Sequence, residues 1–318
     1  MKNLLLILGM GMILAGPMAC TKGVQPLAPA TSQTTSTAAV APHIVAHWTA
    51  GSNSINLSNP LGIATDKDNN VYVVDADYSA IQKYAASGTP LARWGQAGNG
   101  NVQFNQPFGV ALDGNGNVYV ADAGNQRIEV LDTNGGFVNQ VIAPTMNGVA
   151  FSYPQGVAVL ADGSLLVSDI TNAVWDFNSI STNQFGKTGT TDGQFNYPVG
   201  MAADGNHNVY VANYQGNNVT KFNTVTGAVS SLGQKGNGAG QFSNPTDVKV
   251  GPDGNIYVVD SGNGRVEELD TTGKYILEFG KTGPTSDHLN SPIGLAIDGA
   301  GNFYVTDNGN ARVVKYSL

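Results

Sequence analysis

The sequence predicts an all-β fold in which six similar units close into a ring. A segment with a period of about 47 residues recurs after residue 43, and each copy carries three short apolar strands separated by Asp, Asn and Gly turns. The two ends of the chain supply the remaining parts of one unit. Together these observations predict a six-bladed β-propeller of four-stranded antiparallel blades. The copies open at Pro60, Pro107, Pro154, Pro198, Pro245 and Pro292.

The unit is clearest between Pro107 and Asp132, PFGVALDGNGNVYVADAGNQRIEVLD. Its three apolar runs are GVALD, NVYVAD and RIEVLD, and no stretch of the chain shows sustained helical periodicity. The Asp-Gly and Asn-Gly pairs between the first two runs tolerate the positive φ angles that tight hairpins need. The runs are apolar on both faces, as expected for sheets that are packed between two neighbours.

The two ends of the chain are predicted to complete one blade between them. The segment that ends at Pro60 reads as a fourth strand and a linker, because Trp48 falls at the position of Trp94 in the next unit. The last unit stops after three strands. A closed ring of blades removes its open edges in this way, so we expect His43–Thr49 to pair with Val313–Ser317.

Residues 1–19 are predicted to be a signal peptide. Lys2 supplies a positive start, and the apolar run at 4–14 is shorter than the ~20 residues of a membrane-spanning helix. The segment resembles a bacterial lipoprotein signal, which implies lipidation of Cys20 directly after Ala19. An ordinary secretory signal with an incidental cysteine is the alternative.

Residues 20–42 are rich in Thr, Ser, Ala and Pro and contain no acidic residue. Such a composition cannot bury a core and is typical of a flexible tether. The predicted organisation is therefore signal peptide, tether and a propeller over residues 43–318. We expect an exported protein that is either secreted or lipid-anchored in the bacterial cell envelope, with membrane contact only through the anchor.

The charge of the chain disfavours nucleic acid as a partner. The sequence has 15 Lys and Arg against 23 Asp and Glu, a formal net charge of −8, and shows no basic stripe. Binding to a phosphate backbone requires clustered cations. The single cysteine excludes an internal disulfide.

The repeated motif resembles the NHL-repeat family of β-propellers. It reads Pro-x-Gly-Val/Ile-Ala-x-Asp, then Gly-Asn-Val/Ile-Tyr-Val-x-Asp, then Gly-Asn-x-Arg-Val/Ile, with linkers such as GQKGNGAGQFSNP. The resemblance implies a six-bladed propeller over essentially the whole of 43–318. We interpret the recurring Asp, Asn and Arg as structural, with Asp capping a strand end and Arg tying it across the turn. They stand at Asp122/Asn125/Arg127, Asp260/Asn263/Arg265 and Asp307/Asn310/Arg312.

No pattern for metal or nucleophile chemistry occurs in the sequence. Some NHL-type propellers are enzymes, among them a lyase that holds zinc with His from several blades, but only His207 lies within the repeated strands and turns here. We therefore expect no metal and no cofactor. The turn Asp66-x-Asp68-x-Asn70 is similar to the start of a calcium loop, but it lacks the Gly and Glu of such a loop, which favours a plain hairpin.

Candidate ligand contacts lie where the repeat varies on one face of the ring. The second-to-third turns and the linkers share that face, and variable positions in repeat arrays map to binding loops. The candidates are the residue after each opening proline and several turn residues. They are Leu61, Phe108, Gln155, Val199, Thr246 and Ile293, together with Tyr78, Tyr214, Gln215 and Asn308.

The fifth unit carries a charged pair, Asp247 and Lys249, where the other units have small residues. Two residues apart on a strand, the side chains point to the same side. They form either a ligand-facing pocket or a mutually satisfied buried pair. The mutual pair is favoured because burying either charge alone is costly.

The function indicated by these features is a non-catalytic recognition scaffold. Its partner would be an extracytoplasmic protein, peptide or glycan bound through one propeller face. The alternative is a cell-envelope lyase or hydrolase that uses Asp247 and Lys249.

Overall fold

A computed structural model gives the fold and describes residues 40–48, 56–142, 151–177, 182–189, 193–281 and 287–317. They belong to one compact unit, Ala39–Leu318. The predicted signal peptide, Cys20 and the tether up to residue 39 lie outside the described residues. Within those ranges, no helix has the length and apolar character needed to cross a membrane.

Six four-stranded antiparallel sheets form the six blades that the sequence predicts. Blade 1 consists of β2 (Pro60–Thr65), β3 (Val71–Asp75), β4 (Ala80–Tyr84) and β5 (Pro90–Trp94); blade 2 of β6 (Pro107–Leu112), β7 (Val118–Asp122), β8 (Arg127–Leu131) and β9 (Phe137–Val141); blade 3 of β10 (Pro154–Val159), β11 (Leu165–Asp169), β12 (Ala173–Phe177) and β13 (Thr182–Phe185). Blade 4 consists of β16 (Pro198–Ala203), β17 (Asn208–Asn213), β18 (Asn218–Asn223) and β19 (Val229–Leu232); blade 5 of β22 (Pro245–Val250), β23 (Ile256–Asp260), β24 (Arg265–Leu269) and β25 (Tyr275–Phe279); blade 6 of β26 (Pro292–Ile297), β27 (Phe303–Asp307), β28 (Arg312–Ser317) and β1 (His43–Trp48).

The linkers and the second-to-third turns lie on one face of the ring, which we call the linker face. Short parallel pairs join β14 (Lys187–Thr188) to β15 (Gln194–Phe195) and β20 (Gln234–Lys235) to β21 (Gln241–Phe242) within two linkers. Single 3₁₀ turns follow the second strands of blades 2, 5 and 6, at Ala123–Asn125, Ser261–Asn263 and Asn308–Asn310. The first-to-second turns occupy the opposite face.

The first strands of the six blades surround a central channel. Each contacts the first strand of the next blade, and β26 contacts β2, so the ring is closed. In five of the six blades, the strands approach closely at the glycine two residues after the opening proline. A Cβ added to Gly62 would lie 2.5 Å from the carbonyl oxygen of Phe108, and one added to Gly109 would lie 2.4 Å from that of Gln155. A side chain at these positions would force the blades apart.

The hydrophobic cores lie between neighbouring blades. The second strand β3 is fully buried along its length, which confirms that the strands are covered on both faces. Between blades 5 and 6, the ring centroids of Tyr257 and Phe303 are 4.8 Å apart and those of Phe279 and Tyr316 are 4.9 Å apart. Aromatic pairs at these distances add to the stability gained from burial.

The N-terminal strand closes the ring as predicted. β1 pairs antiparallel with β28, with His43 opposite Ser317 and Trp48 opposite Val313; Thr49 lies outside the described residues. Trp48 is buried, with ring centroids 5.8 Å from Tyr84 of blade 1 and 5.4 Å from Tyr304 of blade 6. The closure therefore combines backbone pairing with aromatic packing, and it covers an edge that would otherwise be open.

The recurring Asp, Asn and Arg residues clamp the linkers. In blade 2, Asp122 Oδ2 accepts hydrogen bonds from Asn125 Nδ2 and Arg127 Nε, each at 2.8 Å. Arg127 Nη2 also donates to the carbonyl oxygens of Gly100 and Gln103 at 2.8 and 2.7 Å. The arginine thus reaches past the turn and fastens the incoming linker. Arg265 makes the equivalent bonds in blade 5.

The Asp-rich first-to-second turns satisfy their carboxylates locally. Asp66 Oδ1 accepts the backbone N–H groups of Asp68 and Asn70 at 2.9 and 2.8 Å, and Oδ2 accepts Asn70 Nδ2 and the Tyr72 hydroxyl at 2.8 and 3.0 Å. These are the bonds of a capped hairpin turn. Across the described ranges, no group of three or more His, Cys, Asp or Glu is arranged to hold a metal ion.

Candidate functional site

Several of the predicted contact residues meet in a cavity of the central channel near the linker face. The cavity is small, about 30 Å³ in volume, and Phe108, Gln155, Thr246, Asp247 and Lys249 line it. They meet because each first strand begins at this end of the channel, so that residues one to four positions after the prolines converge. A second cavity of about 240 Å³ continues toward the opposite face, and Lys249 lines both.

Asp247 occupies the position that is glycine in the other five blades. Its Oδ1 accepts Lys249 Nζ at 2.6 Å and the backbone N–H of Val248 at 2.8 Å, and its Oδ2 accepts the N–H of Leu295 in blade 6 at 2.9 Å. Burial raises the pKa of Asp247, and the ammonium of Lys249 opposes that shift. The carboxylate is therefore engaged in the contact between blades 5 and 6, while the partly exposed Lys249 side chain faces the channel.

Gln155 contributes an unused hydrogen-bond donor to the same cavity. Its side chain is 1% exposed, and within the described part of the chain its Nε2 has no hydrogen-bond partner. Leaving a buried amide nitrogen unpaired costs about 1–3 kcal/mol. Buried polar groups are normally paired, so this nitrogen is an exception in the residue that lines the cavity.

Other predicted contacts hold neighbouring elements together. Thr246 Oγ1 donates to the carbonyl oxygen of Pro292 at 3.2 Å. Asn308 Nδ2 donates to Asn59 Oδ1 at 2.6 Å and thereby joins blade 6 to the linker that enters blade 1. Tyr78 is covered on one side by the guanidinium of Arg93, 4.4 Å from its ring centroid. The structure therefore does not bring Tyr78 and Asn308 into the channel group.

Three half-buried tyrosines form a cluster on the linker face over blades 3 and 4. We call Tyr153, Tyr197 and Tyr214 the tyrosine cluster; the ring centroids of Tyr197 and Tyr214 are 5.5 Å apart. Burial, and to a lesser degree the neighbouring Tyr197, raises the pKa of Tyr153, while burial and then Tyr214 raise the pKa of Tyr197. These two hydroxyls therefore stay neutral and can both donate and accept hydrogen bonds near pH 7.

Hydrogen bonds hold the backbone under the cluster in place. The N–H of Tyr214 donates to the carbonyl oxygen of Tyr197 at 3.0 Å, and the N–H of Tyr197 donates to Asn172 Oδ1 at 2.7 Å. The adjacent Gln215, a predicted contact, is exposed, and its N–H donates to the carbonyl oxygen of Asn196 at 3.1 Å. The rings are thus presented on a fixed frame, which lowers the entropy lost on binding.

Tyr197 also has a costly backbone conformation. Its φ is +57°, in the left-handed region. The equivalent residues Gln106, Asn244 and Ser291 have φ near +50° as well, so the linker imposes this conformation. A large side chain is uncommon in this region, and here the linker geometry shared with other blades holds Tyr197 in it.

Sequence reasoning missed Tyr153 and Tyr197. The prediction considered the residue after each opening proline but not the residue before it. That position is Asn59, Gln106, Tyr153, Tyr197, Asn244 and Ser291 in the six units, so an aromatic residue occurs only in blades 3 and 4. Comparison of this position across the six units would therefore have identified Tyr153 and Tyr197 from the sequence.

Comparison with protein families supports the fold and the repeat. Residues 104–131, 242–268 and 289–316 match the family model described as NHL repeat. The matched segments fall on blades 2, 5 and 6, where the motif is clearest. No curated protein sequence matches the chain.

Solved structures with a similar fold include both enzymes and a binding protein. A streptogramin B lyase structure aligns with a TM-score of 0.60 and 14% identity, covering 86% of this chain and 97% of that one. A gluconolactonase from Xanthomonas campestris aligns with a TM-score of 0.63 and 15% identity, covering 82% and 86%. A nidogen/laminin complex aligns with a TM-score of 0.57 and 18% identity, covering 74% and 84%. These similarities show the fold alone.

Proposed function

We propose that the protein is a recognition scaffold that binds an extracytoplasmic protein, peptide or glycan through its linker face. The tyrosine cluster carries the proposal, because half-buried rings on a hydrogen-bonded frame are typical of the residues that dominate binding energy. The channel cavity with the unpaired Gln155 donor opens near the same face. The nidogen/laminin complex among similar folds supports a binding role for this architecture.

The proposal includes export and attachment through Cys20. The apolar N-terminal run, the single cysteine and the acid-free segment that follows support it. A C20S variant expressed in a bacterium that processes lipoproteins should move from the membrane fraction to the soluble exported fraction, and it should lose incorporation of labelled palmitate. Unchanged fractionation and labelling would rule out the anchor but not the recognition role.

The recognition role is tested by cross-linking in intact cells. We expect the native protein to capture a specific envelope partner and the double variant Tyr197→Ala, Tyr214→Ala to lose it. Tyr78→Ala is the matched control, because Tyr78 is also a linker-face tyrosine but has Arg93 over its ring. Equal capture by the native protein and the double variant would refute binding through the cluster.

A second candidate function is a lyase or hydrolase that uses the channel pair. Its support is the position of Lys249 on both channel cavities and the presence of a lyase and a gluconolactonase among similar folds. Against it, the carboxylate of Asp247 is occupied by Lys249 and two backbone N–H groups. Turnover of a lactone or envelope substrate by the native protein, abolished in Lys249→Ala, would establish this function instead.

A further inference from the structure

We infer that the tyrosine cluster binds a neutral carbohydrate. This inference rests on the proposed recognition function and specifies the chemistry of its ligand. Two properties of the cluster lead to it: half-buried aromatic rings on a hydrogen-bonded frame, and surrounding side chains that are uncharged amides.

The side chains bonded to the cluster are almost all uncharged amides. The Tyr153 hydroxyl bonds to Gln106 Oε1 at 2.8 Å, the N–H of Tyr197 to Asn172 Oδ1 at 2.7 Å, and Asn244 Nδ2 to the carbonyl oxygen of Tyr214 at 3.1 Å. None of the described side chains that bond to the cluster offers a cation, so a negatively charged ligand would lose hydration without gaining an opposite charge from them. The cluster therefore favours an uncharged ligand.

The one carboxylate bonded to the cluster is already satisfied. Asp169 is fully buried, and its Oδ2 accepts the N–H groups of Ser152 and Tyr153 at 2.9 and 3.0 Å. Its Oδ1 accepts the N–H and the hydroxyl of Thr171 at 2.9 and 2.7 Å. It holds the loop beneath the rings and offers no charge to a ligand.

The surroundings match a sugar better than a peptide. Peptide recognition uses a free strand edge, an apolar groove for a helix, or apolar pockets for alternate side chains. The exposed aliphatic side chains of the described chain lie mainly on outer strands, as at Leu91 and Val138. The apolar pocket of blades 3 and 4, lined by Phe185, Phe222 and Val229, includes none of the three tyrosines. A sugar presents an apolar ring face that stacks on an aromatic ring, and hydroxyl groups that pair with amides and phenols.

Gln155 lies in the wall of the channel cavity, close in sequence to the cluster. It follows Tyr153 by two residues, across Pro154, and its buried Nε2 is unpaired in the cavity wall. An oxygen of a ring substituent can accept this hydrogen bond and relieve the cost of the unpaired amide. We assign Gln155 as the second contact of the same ligand, below the stacking rings.

The experiment is calorimetry of the full exported chain with a panel of neutral tetrasaccharides that includes cellotetraose and the N-acetylglucosamine tetramer. Tetragalacturonate serves as the charged probe and a proline-rich decapeptide as the peptide probe. We expect a neutral tetrasaccharide to bind, and Tyr197→Ala and Tyr214→Ala each to weaken it by about tenfold or more. Tyr78→Ala is the control that should leave binding unchanged.

Two further variants separate ligand contact from loss of fold. Tyr214→Phe keeps the ring and should retain most of the affinity, whereas Gln155→Leu removes the donor at similar volume and should weaken binding without lowering the melting temperature. No binding across the neutral panel, or binding only of the charged or peptide probe, would overturn the inference. If the double variant still loses its envelope partner in cells, recognition through the cluster stands and only the carbohydrate class is wrong.

Discussion

Replacing Arg265 with alanine should be among the most destabilising single changes in the propeller. Its side chain is 2% exposed and lies within a group of three carboxylates. Nε donates to Asp260 Oδ2 at 2.9 Å, Nη2 lies 2.5 Å from Glu267 Oε1, and Nη1 bonds to Glu278. Removing the cation leaves Asp260 and Glu267 buried without an opposite charge.

The expected cost is about 3–5 kcal/mol at pH 8, the range found when one member of a buried ion pair is removed. The loss also includes two hydrogen bonds to linker carbonyl oxygens, those of Gly238 and Gln241. Arg93→Ala is the matched control, since this arginine lies on the surface over Tyr78 and should cost less than about 1 kcal/mol.

The assay is urea denaturation followed by circular dichroism, with both variants and the native protein at the same pH. Arg127→Ala, which removes the equivalent clamp of blade 2, should lose a similar amount of stability. A loss below about 1.5 kcal/mol for Arg265→Ala, or one equal to that of Arg93→Ala, would refute the view that these clusters hold the blades together.

Three other changes test separate parts of the structure. Lys249→Ala should lower the free energy of unfolding by about 3 kcal/mol, because it leaves the buried carboxylate of Asp247 without its cation. Adding Asp247→Gly should restore at least about 1 kcal/mol of that loss in a double-mutant cycle. Strict additivity of the two changes would contradict the pairing. Gly62→Ala should destabilise by about 1–3 kcal/mol because the new Cβ meets backbone atoms of blade 2 at 2.5 to 3.0 Å. Gly205→Ala is the control, because a Cβ added there meets no atom within 4 Å, and it should change the free energy of unfolding by less than about 0.5 kcal/mol in the same denaturation assay. Equal losses for Gly62→Ala and Gly205→Ala would argue against close approach of the first strands. Burial, opposed by Arg265, raises the pKa of Glu267 from its ordinary value of 4.5 to about 7. The folded protein therefore gains stability from protonated Glu267 below pH 4.5. This contribution to the free energy of unfolding, up to about 3 kcal/mol, is lost as the pH rises through 7. Glu267→Gln should flatten this part of the pH profile, and an unchanged profile would exclude Glu267 as its source.

The repeat accounts for most of the fold. Six units that each begin at a proline and contain hairpin turns predict a closed ring of blades, because a closed ring pairs every strand edge. One unit is divided between the two ends of the chain, and this division predicted that β1 would pair with β28. The two-sided burial of β3 follows from its run of apolar residues. Turn type and strand periodicity depend on residues that are close in sequence, so they can be predicted from the sequence alone.

The candidate site was predictable only in part. Variation within the repeat identified Gln155 and Lys249 as candidates, but their position in the wall of the central channel is known only from the structure. Tyr214 was identified as a turn residue, but its partner Tyr197 belongs to a linker, and the two meet only because adjacent segments of the ring fold back on one face. The sequence predicts that Arg265 bonds to Asp260 across its turn. The structure adds hydrogen bonds from Arg265 to linker carbonyl oxygens that lie 24 and 27 residues earlier in the chain.

The sequence by itself determined the number of blades, their strand order and the closing of the ring, because these follow from periodicity and from the need to pair strand edges. Only the tertiary structure decided which side chains meet. The engagement of Asp247 by Leu295 of the next blade, the unpaired amide of Gln155 and the packing of Tyr197 on Tyr214 depend on distances between segments that are remote in sequence or that turn back on one another. Contacts of this kind are set by the packing of whole blades, which no local pattern encodes.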